Sequence, residues 1–540
     1  MSTDKARGGP ILGCDIGNGY GYVSLLQHPD ADPMPLFPSK YRLSDLGMPT
    51  TAYITPPTGE PIVVFQKGKA AERSYSKRPK QLIQAVKTRL KEGSLSIPNV
   101  DTPVPVRNIY GAITRDLVAL AEEELANRGI APIYDLVFTF PAAMADDIAG
   151  LEQLQSSVEA IQLNGHPLRV RGRLPEPAAV AIDYLHYMQH IAPEEIRLRQ
   201  NQFTVLVYDL GHGTFDTAVV TAQSQGTPYQ LHAKAGLPDV GGKDFDELLY
   251  QEFCRQLLEQ NQYTPKNERE RQAIRQAAIK AKLELTESQV SIQSIPLKEE
   301  YYEVEVSQER FEQLSEHLMV QTLELVQAML EDSQANGIPI HGIVLSGGAS
   351  KMPMVKRSLE QLVEGAFPVV LYRPSEAVSY GAARFAYGIQ TVSNKRTKRD
   401  EEEVPTPEPN QVLEQFTDCG YGVWLPTVDK LEGEVRFLVG SGEKRPVVSE
   451  PVTVSGKSHR ITVKLYRSLT KNKRGDIVSA EQCRSMLWFP FEVIPEEPYE
   501  MRLTVQEDYS VQVELKDRQG RSTCKTTSDL LQTLVEREGN

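Results

Sequence analysis

The sequence predicts an α/β fold built from two duplicated halves, followed by a separate β-rich domain. Three observations carry this expectation. The motif Asp-[Ile/Leu]-Gly-x-Gly occurs twice, as Asp15-Ile-Gly-Asn-Gly and as Asp209-Leu-Gly-His-Gly, each time between two apolar, strand-forming runs. Strand-like and helix-like segments alternate along residues 10–390. Beyond residue 411, short segments of period two follow one another with little helix between them.

Each copy of the motif reads as a strand, a tight glycine turn and a second strand, with one carboxylate at the bend. Ile11–Leu26 forms the first, and Val205–Val220, VLVYDLGHGTFDTAVV, the second. A carboxylate so placed meets an anion through a metal. The repetition predicts two turns that face each other across a shared ligand.

At 540 residues the chain exceeds a single core, and with 40% hydrophobic and 24% charged residues it has ordinary globular composition. A formal charge of −13 opposes general binding to nucleic acid or to an anionic membrane. No run approaches the ~18 apolar residues of a bilayer span, and the first ten residues lack the apolar stretch of a signal peptide. The expectation is a cytoplasmic protein without nucleic-acid or membrane partners, a monomer or weak oligomer. Its five cysteines, Cys14, Cys254, Cys419, Cys483 and Cys524, form no Cys-x-x-Cys, so neither a disulfide framework nor a zinc site is indicated.

The elements follow in order. Asp30–Phe65 alternates short apolar pieces with prolines and predicts short strands. The composition turns helical from Lys67, and Leu82, Ala85, Val86 and Leu90 share one face of a predicted helix over Gln81–Leu90, with Lys87 beside it. Ile113–Arg128 is a predicted amphipathic helix, and Tyr134–Phe140 a buried strand stopped by Pro141. A strand at Leu168–Arg173 leads through Pro175-Glu176-Pro177 to a helix over Ala178–Gln189, and a glutamate between two prolines is rigidly aimed. Gly241 and Gly242 open a helix over Phe245–Leu258 and suit close approach of an anion. Helices are predicted over Gln272–Glu287 and Arg310–Ser333, and a strand at His341–Pro353 runs into Gly347-Gly348 and a further helix. Residues 394–410, NKRTKRDEEEVPTPEPN, are basic, then acidic, then proline-rich, the composition of a solvated linker. Period-two strands are predicted at Tyr421–Leu425, Glu434–Val439, Arg460–Tyr466, Met501–Gln506 and Ser510–Leu515, an antiparallel sheet or sandwich. The predicted domains are 1–392, a linker 393–411, and 412–540.

Two aspartate hairpins, two glycine-bearing helix starts and one aimed glutamate suit a nucleoside triphosphate held with Mg²⁺, which binds a few carboxylates, keeps several waters and bridges phosphate oxygens. No Gly-x-x-x-x-Gly-Lys-[Ser/Thr] loop occurs. The segments DIGNGYGYV, VFTFPAAM, LPEPAAVAIDYL, VYDLGHGTFDTAVV, DVGGKDFDEL, VLSGGASKMP and PSEAVSYGAARFA occur in the order and approximate spacing of the 70-kDa heat-shock (DnaK-type) chaperone ATPases. The chain resembles that family over residues 10–390, which implies the actin–hexokinase superfold, ATP or ADP with Mg²⁺ as cofactors, and slow ATP hydrolysis.

Carried over residue by residue, the resemblance implies that Asp15 and Asp209 hold hydrated Mg²⁺. Lys87 corresponds to the catalytic lysine, Glu176 to the carboxylate that orients the attacking water, and Thr214 to a hydroxyl near the γ-phosphate. Gly17, Asn18, Gly19 and Tyr20 of the first turn and Gly211, His212 and Gly213 of the second fall at nucleotide-binding positions. So do Gly241, Gly242, Lys282, Thr286, Gly347, Gly348, Ala349, Lys351 and Ser375.

The sequence also departs from the family pattern. Asn18 and Gly19 replace a threonine pair, and His212 replaces a glycine. Ile279 and Leu283 stand where a glutamate and an arginine frame adenine, Lys351 where an arginine stacks on the base, and Ala149 where an arginine relays between domains. The linker lacks the usual Asp-Leu-Leu-Leu pattern. The tail resembles the family's substrate domain more loosely, through Phe416–Leu425 and Phe489–Arg521, and the chain closes after one predicted short helix with no room for a helical lid. The resemblance implies an ATP-dependent chaperone whose nucleotide state controls binding of unfolded or extended peptide segments. A J-domain co-chaperone and a nucleotide-exchange factor are its implied partners. The alternative is a nucleotide-gated regulatory or scaffold protein for one dedicated partner, with weak or no turnover.

Overall fold

The computed structural model describes residues 9–37, 47–63, 79–144, 147–191, 202–223, 228–297, 300–397, 413–415, 421–425, 434–455, 459–468, 472–506 and 510–527. Two compact units emerge. One comprises Met1–Met144, Gln153–Gln225 and Lys234–Pro407, and the other Ala145–Glu152, Gly226–Ala233 and Glu408–Asn540.

In the first unit, β1 (Leu12–Ile16) and β2 (Tyr20–Leu25) form the N-terminal antiparallel hairpin, with Asp15 opposite Tyr22. The short β3 (Met34–Pro35) lies on β2. After α1 (Val106–Asn127), β4 (Asp135–Phe140) and β5 (Arg169–Pro175) add in parallel beyond β1, giving the order β5-β4-β1-β2-β3. The helix α2 (Glu176–Ile191) follows β5 without a loop.

The second sheet repeats the plan. Its hairpin is β6 (Gln202–Leu210) and β7 (Phe215–Gln223), continued by β8 (Tyr229–Leu237). Three helices follow, α3 (Gly242–Asn261), α4 (Glu268–Glu284) and α5 (Gln308–Ala335). Then β9 (Ile343–Ser346) and β10 (Val369–Leu371) add in parallel beyond β6, so the order is β10-β9-β6-β7-β8. The helix α6 (Ala377–Thr397) closes the unit. Buried strands with water on neither face need mostly apolar residues, and Val205–Leu210 and Phe215–Ala222 are buried at every position, with Asp209, Asp216, Thr217 and Thr221 as their buried polar and charged members.

Each of two helices leaves one sheet and covers the other. The helix α2 follows the first sheet and packs on β6 and β7, whereas α6 follows the second and packs on β1, β2 and β4. They cross at Gly381, where an added Cβ would lie 1.8 Å from the Ala179 carbonyl oxygen. Only a residue without a side chain lets the backbones approach so closely.

One expected element is absent. Gln81–Leu90 is not a helix: Pro79–Gln81 is a 3₁₀ turn, and Leu82–Ile83 is a strand paired with Ala52–Tyr53. The chain then turns at Ala85, whose φ is 51°, and its N–H donates to the Asn18 carbonyl at 3.1 Å. Tertiary bonds to the first hairpin therefore override the local apolar periodicity. The hairpin of Val290–Leu297 with Glu300–Ser307 was not expected, although its first strand alternates exposed and buried residues at period two.

In the second unit, β11 (Tyr421–Leu425), β12 (Glu434–Val439), β13 (Arg460–Ser468) and β14 (Cys483–Glu492) join Ile477–Ser479 in one antiparallel sheet. A second sheet holds β15 (Pro498–Val505), β16 (Val511–Lys516) and β17 (Ser522–Thr526), with Val447–Val448 and Val452–Ser455 on β15. Val423, Leu465 and Phe489 from the first sheet share one core with Met501, Leu503, Val513 and Leu515 from the second.

The helical composition from Lys67 to residue 78, the linker beyond Thr397, residues 416–420 and the short helix after Thr527 lie outside the described residues, as does the side chain of Ala149. Among the described residues no helix is long and apolar enough to cross a membrane.

Candidate functional site

The two duplicated turns meet at the base of the first unit. Asp15 is the penultimate residue of β1, two residues before Gly17, whose N–H closes the turn on the Tyr20 carbonyl at 2.9 Å. Thr139 of β4 donates its hydroxyl to Asp15 Oδ1 at 2.8 Å and fixes that carboxylate. Asp209 occupies the same place near the end of β6 and is buried. Gly347, with a φ of 82°, lies against it: a Cβ there would stand 2.5 Å from Asp209 Oδ1 and 2.3 Å from the Leu210 carbonyl oxygen. This glycine is needed both for its left-handed backbone and for close approach.

Lys87 and Glu176 are brought together from distant segments. The turn after Ile83 carries Lys87 inward, α2 begins at Glu176, and Nζ donates to Oε1 at 2.6 Å. The Lys87 side chain is 1% exposed and that of Glu176 13%. Asp216, which the sequence reading missed, stands directly across the second hairpin from Asp209. It accepts from Thr214 Oγ1 at 2.7 Å and from the Ala143 N–H at 3.0 Å. Its signal was an aspartate on each side of one turn, since like charges directly opposed in a hairpin are unfavourable without a counter-charge.

Four carboxylates, Asp15, Glu176, Asp209 and Asp216, thus surround one ammonium. Burial, then the Glu176 charge, pushes Asp15 up to about 7 against the pull of Lys87 and the Thr139 hydroxyl. Asp216 also rises to about 7 through burial and Glu176, although Thr214 and the Ala143 amide favour its charge. Burial and the neighbouring Glu176, Asp216 and Asp15 raise Asp209 well above the usual carboxylate range. Burial opposes the charge of Lys87, but Glu176, Tyr110 and Asp15 hold its ammonium above its ordinary value. Negative charge in excess at this depth calls for a cation.

Among the described residues no three His, Cys, Asp or Glu side chains converge as direct metal ligands. A cation held through its own waters needs no such convergence. Ser346 Oγ and Tyr110 Oη are buried without a hydrogen-bond partner among the described residues; Ser346 is opposite Asp209 in the β6–β9 register, and Tyr110 is electrostatically coupled to Lys87. Acid-rich surroundings and unpartnered hydroxyls fit a hydrated divalent ion.

The remaining expected residues divide. Gly241 and Gly242 pack the start of α3 against the second turn: the Gly242 and Lys243 N–H groups donate to the Gly211 and His212 carbonyls, both at 2.9 Å. Those amides are therefore committed within the protein. Lys282 Nζ is likewise tied to the Gly242 carbonyl and to Asp246 Oδ1, both at 2.7 Å. Thr286 Oγ1 turns back onto the Leu283 carbonyl at 2.6 Å. Gly348 has open space where a Cβ would point, Ala349 is buried, Lys351 is exposed, and Ser375 is half-buried in the turn before α6. Leu283 is 52% exposed. At the first turn Tyr20 is exposed and Asn18 buried, the Asn18 Oδ1 accepting from the Thr88 N–H at 3.3 Å.

A sequence profile of the Hsp70 protein family matches residues 69–397, more than half of the chain. The chain belongs to the Hsp70 family. Membership implies an actin-like ATPase domain over the matched residues and makes ATP or ADP with Mg²⁺ the family's cofactors. The chain is 30% identical over 296 residues to the chaperone protein dnaK3 of Thermosynechococcus vestitus, covering 54% of this chain and 40% of that one. It is 32% identical over 285 residues to the chaperone protein HscA homolog of Neisseria meningitidis serogroup B, covering 53% and 41%. With the chaperone protein dnaK3 of Synechococcus elongatus it shares 29% identity over 301 residues, covering 54% and 37%. The chain thus matches about two fifths of the length of each of these Hsp70 relatives.

Proposed function

We propose that this Hsp70-family chain is an ATP-dependent chaperone in which Mg-ATP hydrolysis in the first unit controls binding of unfolded or extended peptide segments by the β-rich second unit. The observation that carries the reading is the buried Lys87–Glu176 pair set among Asp15, Asp209 and Asp216. In this reading Asp15 and Asp209 hold hydrated Mg²⁺, whose charge would neutralise phosphate oxygens. Lys87 donates its protons toward the terminal phosphate and the attacking water. Glu176 orients that water and, with Asp216, accepts its proton. Thr139 and Thr214 keep Asp15 and Asp216 aimed through the hydrogen bonds described above.

The second unit, read as a β-sandwich, supplies paired antiparallel strands suited to extended segments. A J-domain co-chaperone and a nucleotide-exchange factor are the partners this reading calls for. The Asn18 and His212 side chains between the two turns favour a second reading, a nucleotide-gated regulatory or scaffold protein with weak turnover for one dedicated partner. Calorimetric titration with ATP and ADP in Mg²⁺ tests both, because absence of binding removes each of them. Capture of many unfolded clients then supports the chaperone, and capture of a single partner supports the alternative.

A further inference from the structure

The two Asp-x-Gly-x-Gly turns interlock in a reciprocal way. A Cβ on Gly19 would lie 3.1 Å from both Cβ and Cγ of His212 and 3.4 Å from its Cδ2. A Cβ on Gly213 would lie 2.8 Å from Asn18 Nδ2 and 3.1 Å from Asn18 Cβ. Asn18 and His212 hold the same position in their motifs, and so do Gly19 and Gly213. The fourth residue of each turn therefore rests on the fifth of the other. Neither glycine has a left-handed φ, so what each provides is space.

Asn18 is anchored through its side chain and its backbone, and His212 through its backbone. Asn18 holds the segment carrying Lys87 through the Thr88 N–H and, with its carbonyl, the Ala85 N–H. The His212 carbonyl holds the Lys243 N–H at the start of α3. Burial and the nearby Lys282 charge keep the imidazole below its ordinary value, Asp246 opposing, so the ring is neutral at neutral pH. A neutral, half-buried ring on a glycine has little charge with which to attract a phosphate and fills the space over Gly19, in the turn that Asp15 opens.

We propose that Asn18 and His212 form a gate between the two turns, and that the His212 ring must leave Gly19 before the phosphates of a nucleotide reach the carboxylate–lysine cluster. The gate rests on the nucleotide reading above. It makes His212 a residue that sets nucleotide affinity, with a closed state built from contacts within the apo protein. Binding then costs the contacts that the ring gives up, and affinity is lowered by the fraction of molecules that are closed.

The full-length chain, His212→Ala and His212→Gly are titrated with Mg-ATP and Mg-ADP by calorimetry, and the melting temperatures of their nucleotide-free forms are measured with and without Gly19→Ala. Two side-chain removals guard against one failing to fold. The gate predicts at least about tenfold tighter nucleotide binding in both His212 variants. It also predicts that Gly19→Ala lowers the melting temperature of the otherwise unaltered chain by several degrees and that of His212→Gly by much less, because the added methyl meets the Cβ and ring of His212 only when they are present. Binding by the unaltered chain that is unchanged in both His212 variants would overturn the gate and leave the nucleotide reading standing. An equal penalty from Gly19→Ala in both backgrounds would also overturn it. No binding by any of the three chains would remove the nucleotide reading and the gate with it.

Discussion

Lys87 Nζ lies 2.6 Å from Glu176 Oε1 with the lysine side chain 1% exposed. A pair so buried is held by what surrounds it, and here the surroundings are three further carboxylates. Lys87→Ala leaves them without their ammonium. Removing one partner of a buried pair costs about 3–5 kcal/mol. The nucleotide-free variant is expected to unfold at lower urea concentration than the parent, and Mg²⁺ should recover more stability in it than in the parent. In single-turnover assays the same variant should bind nucleotide and fail to hydrolyse it; a normal rate would overturn the assignment of Lys87.

Asp209 and Asp216 face each other across the second hairpin with no residue between them in the register. Asp209→Ala is expected to abolish Mg-ATP hydrolysis, since the second turn then lacks the carboxylate that matches Asp15 of the first. Asp216→Asn keeps the side-chain shape and removes one negative charge from the set. The rise in melting temperature produced by Mg²⁺ with nucleotide should shrink in this variant. An undiminished rise would place Asp216 outside the ion's reach.

Much of this site was legible because each of its main residues sits in a locally distinctive string. Asp15 and Asp209 stand at glycine turns between apolar strands, and Glu176 lies between two prolines at a strand-to-helix junction. Lys87 was legible only through the family resemblance, because its segment carries a helical periodicity that the fold overrides at Ala85. Asp216 and Thr139 were missed for a different reason. Each looks like an ordinary strand residue until the strands are placed side by side, and their roles come from hydrogen bonds to residues far away in sequence. The contact of His212 with Gly19 was unreadable from either turn alone, although the two departures from the family pattern fill one space.

Gly381 separates packing from chemistry. Its missing side chain lets α6 cross α2 over the Ala179 carbonyl, and a methyl group there would lie 1.8 Å from that oxygen. Backbone on both sides leaves no flexible group to yield, so Gly381→Ala should destabilise by more than the about 1–3 kcal/mol typical of overpacking. Gly348→Ala is the matched control, because no atom of the described residues lies within 4 Å of its added methyl. It is expected to change stability by no more than about 0.5 kcal/mol. Urea unfolding of both variants checks the contrast, and equal midpoints would contradict the crossing geometry.

His186 gives the first unit a pH dependence of known sign. Its Nε2 lies 3.4 Å from Arg384 Nη1, and its ring lies tilted against that of His190 with centroids 4.3 Å apart. Burial first, then the Arg384 and His190 charges, lowers its pKa from 6.5 to about 4, with the Pro29 carbonyl and Asp30 opposing. The unfolded chain therefore takes up a proton near pH 6.5 while the folded chain waits until about pH 4. Stability contributed by neutral His186 is full above pH 6.5, falls as the pH drops between those values, and changes no further below them. The ring is partly exposed, so the loss is discounted to about 1 kcal/mol. His186→Gln cannot titrate and should lose less stability than the parent between pH 7.5 and pH 5. The difference between the two chains isolates this histidine from Asp15, Asp183, Asp209 and Asp216, whose raised values act in the opposite direction. Parallel urea midpoints for parent and variant across that range would show that His186 titrates normally in the folded protein.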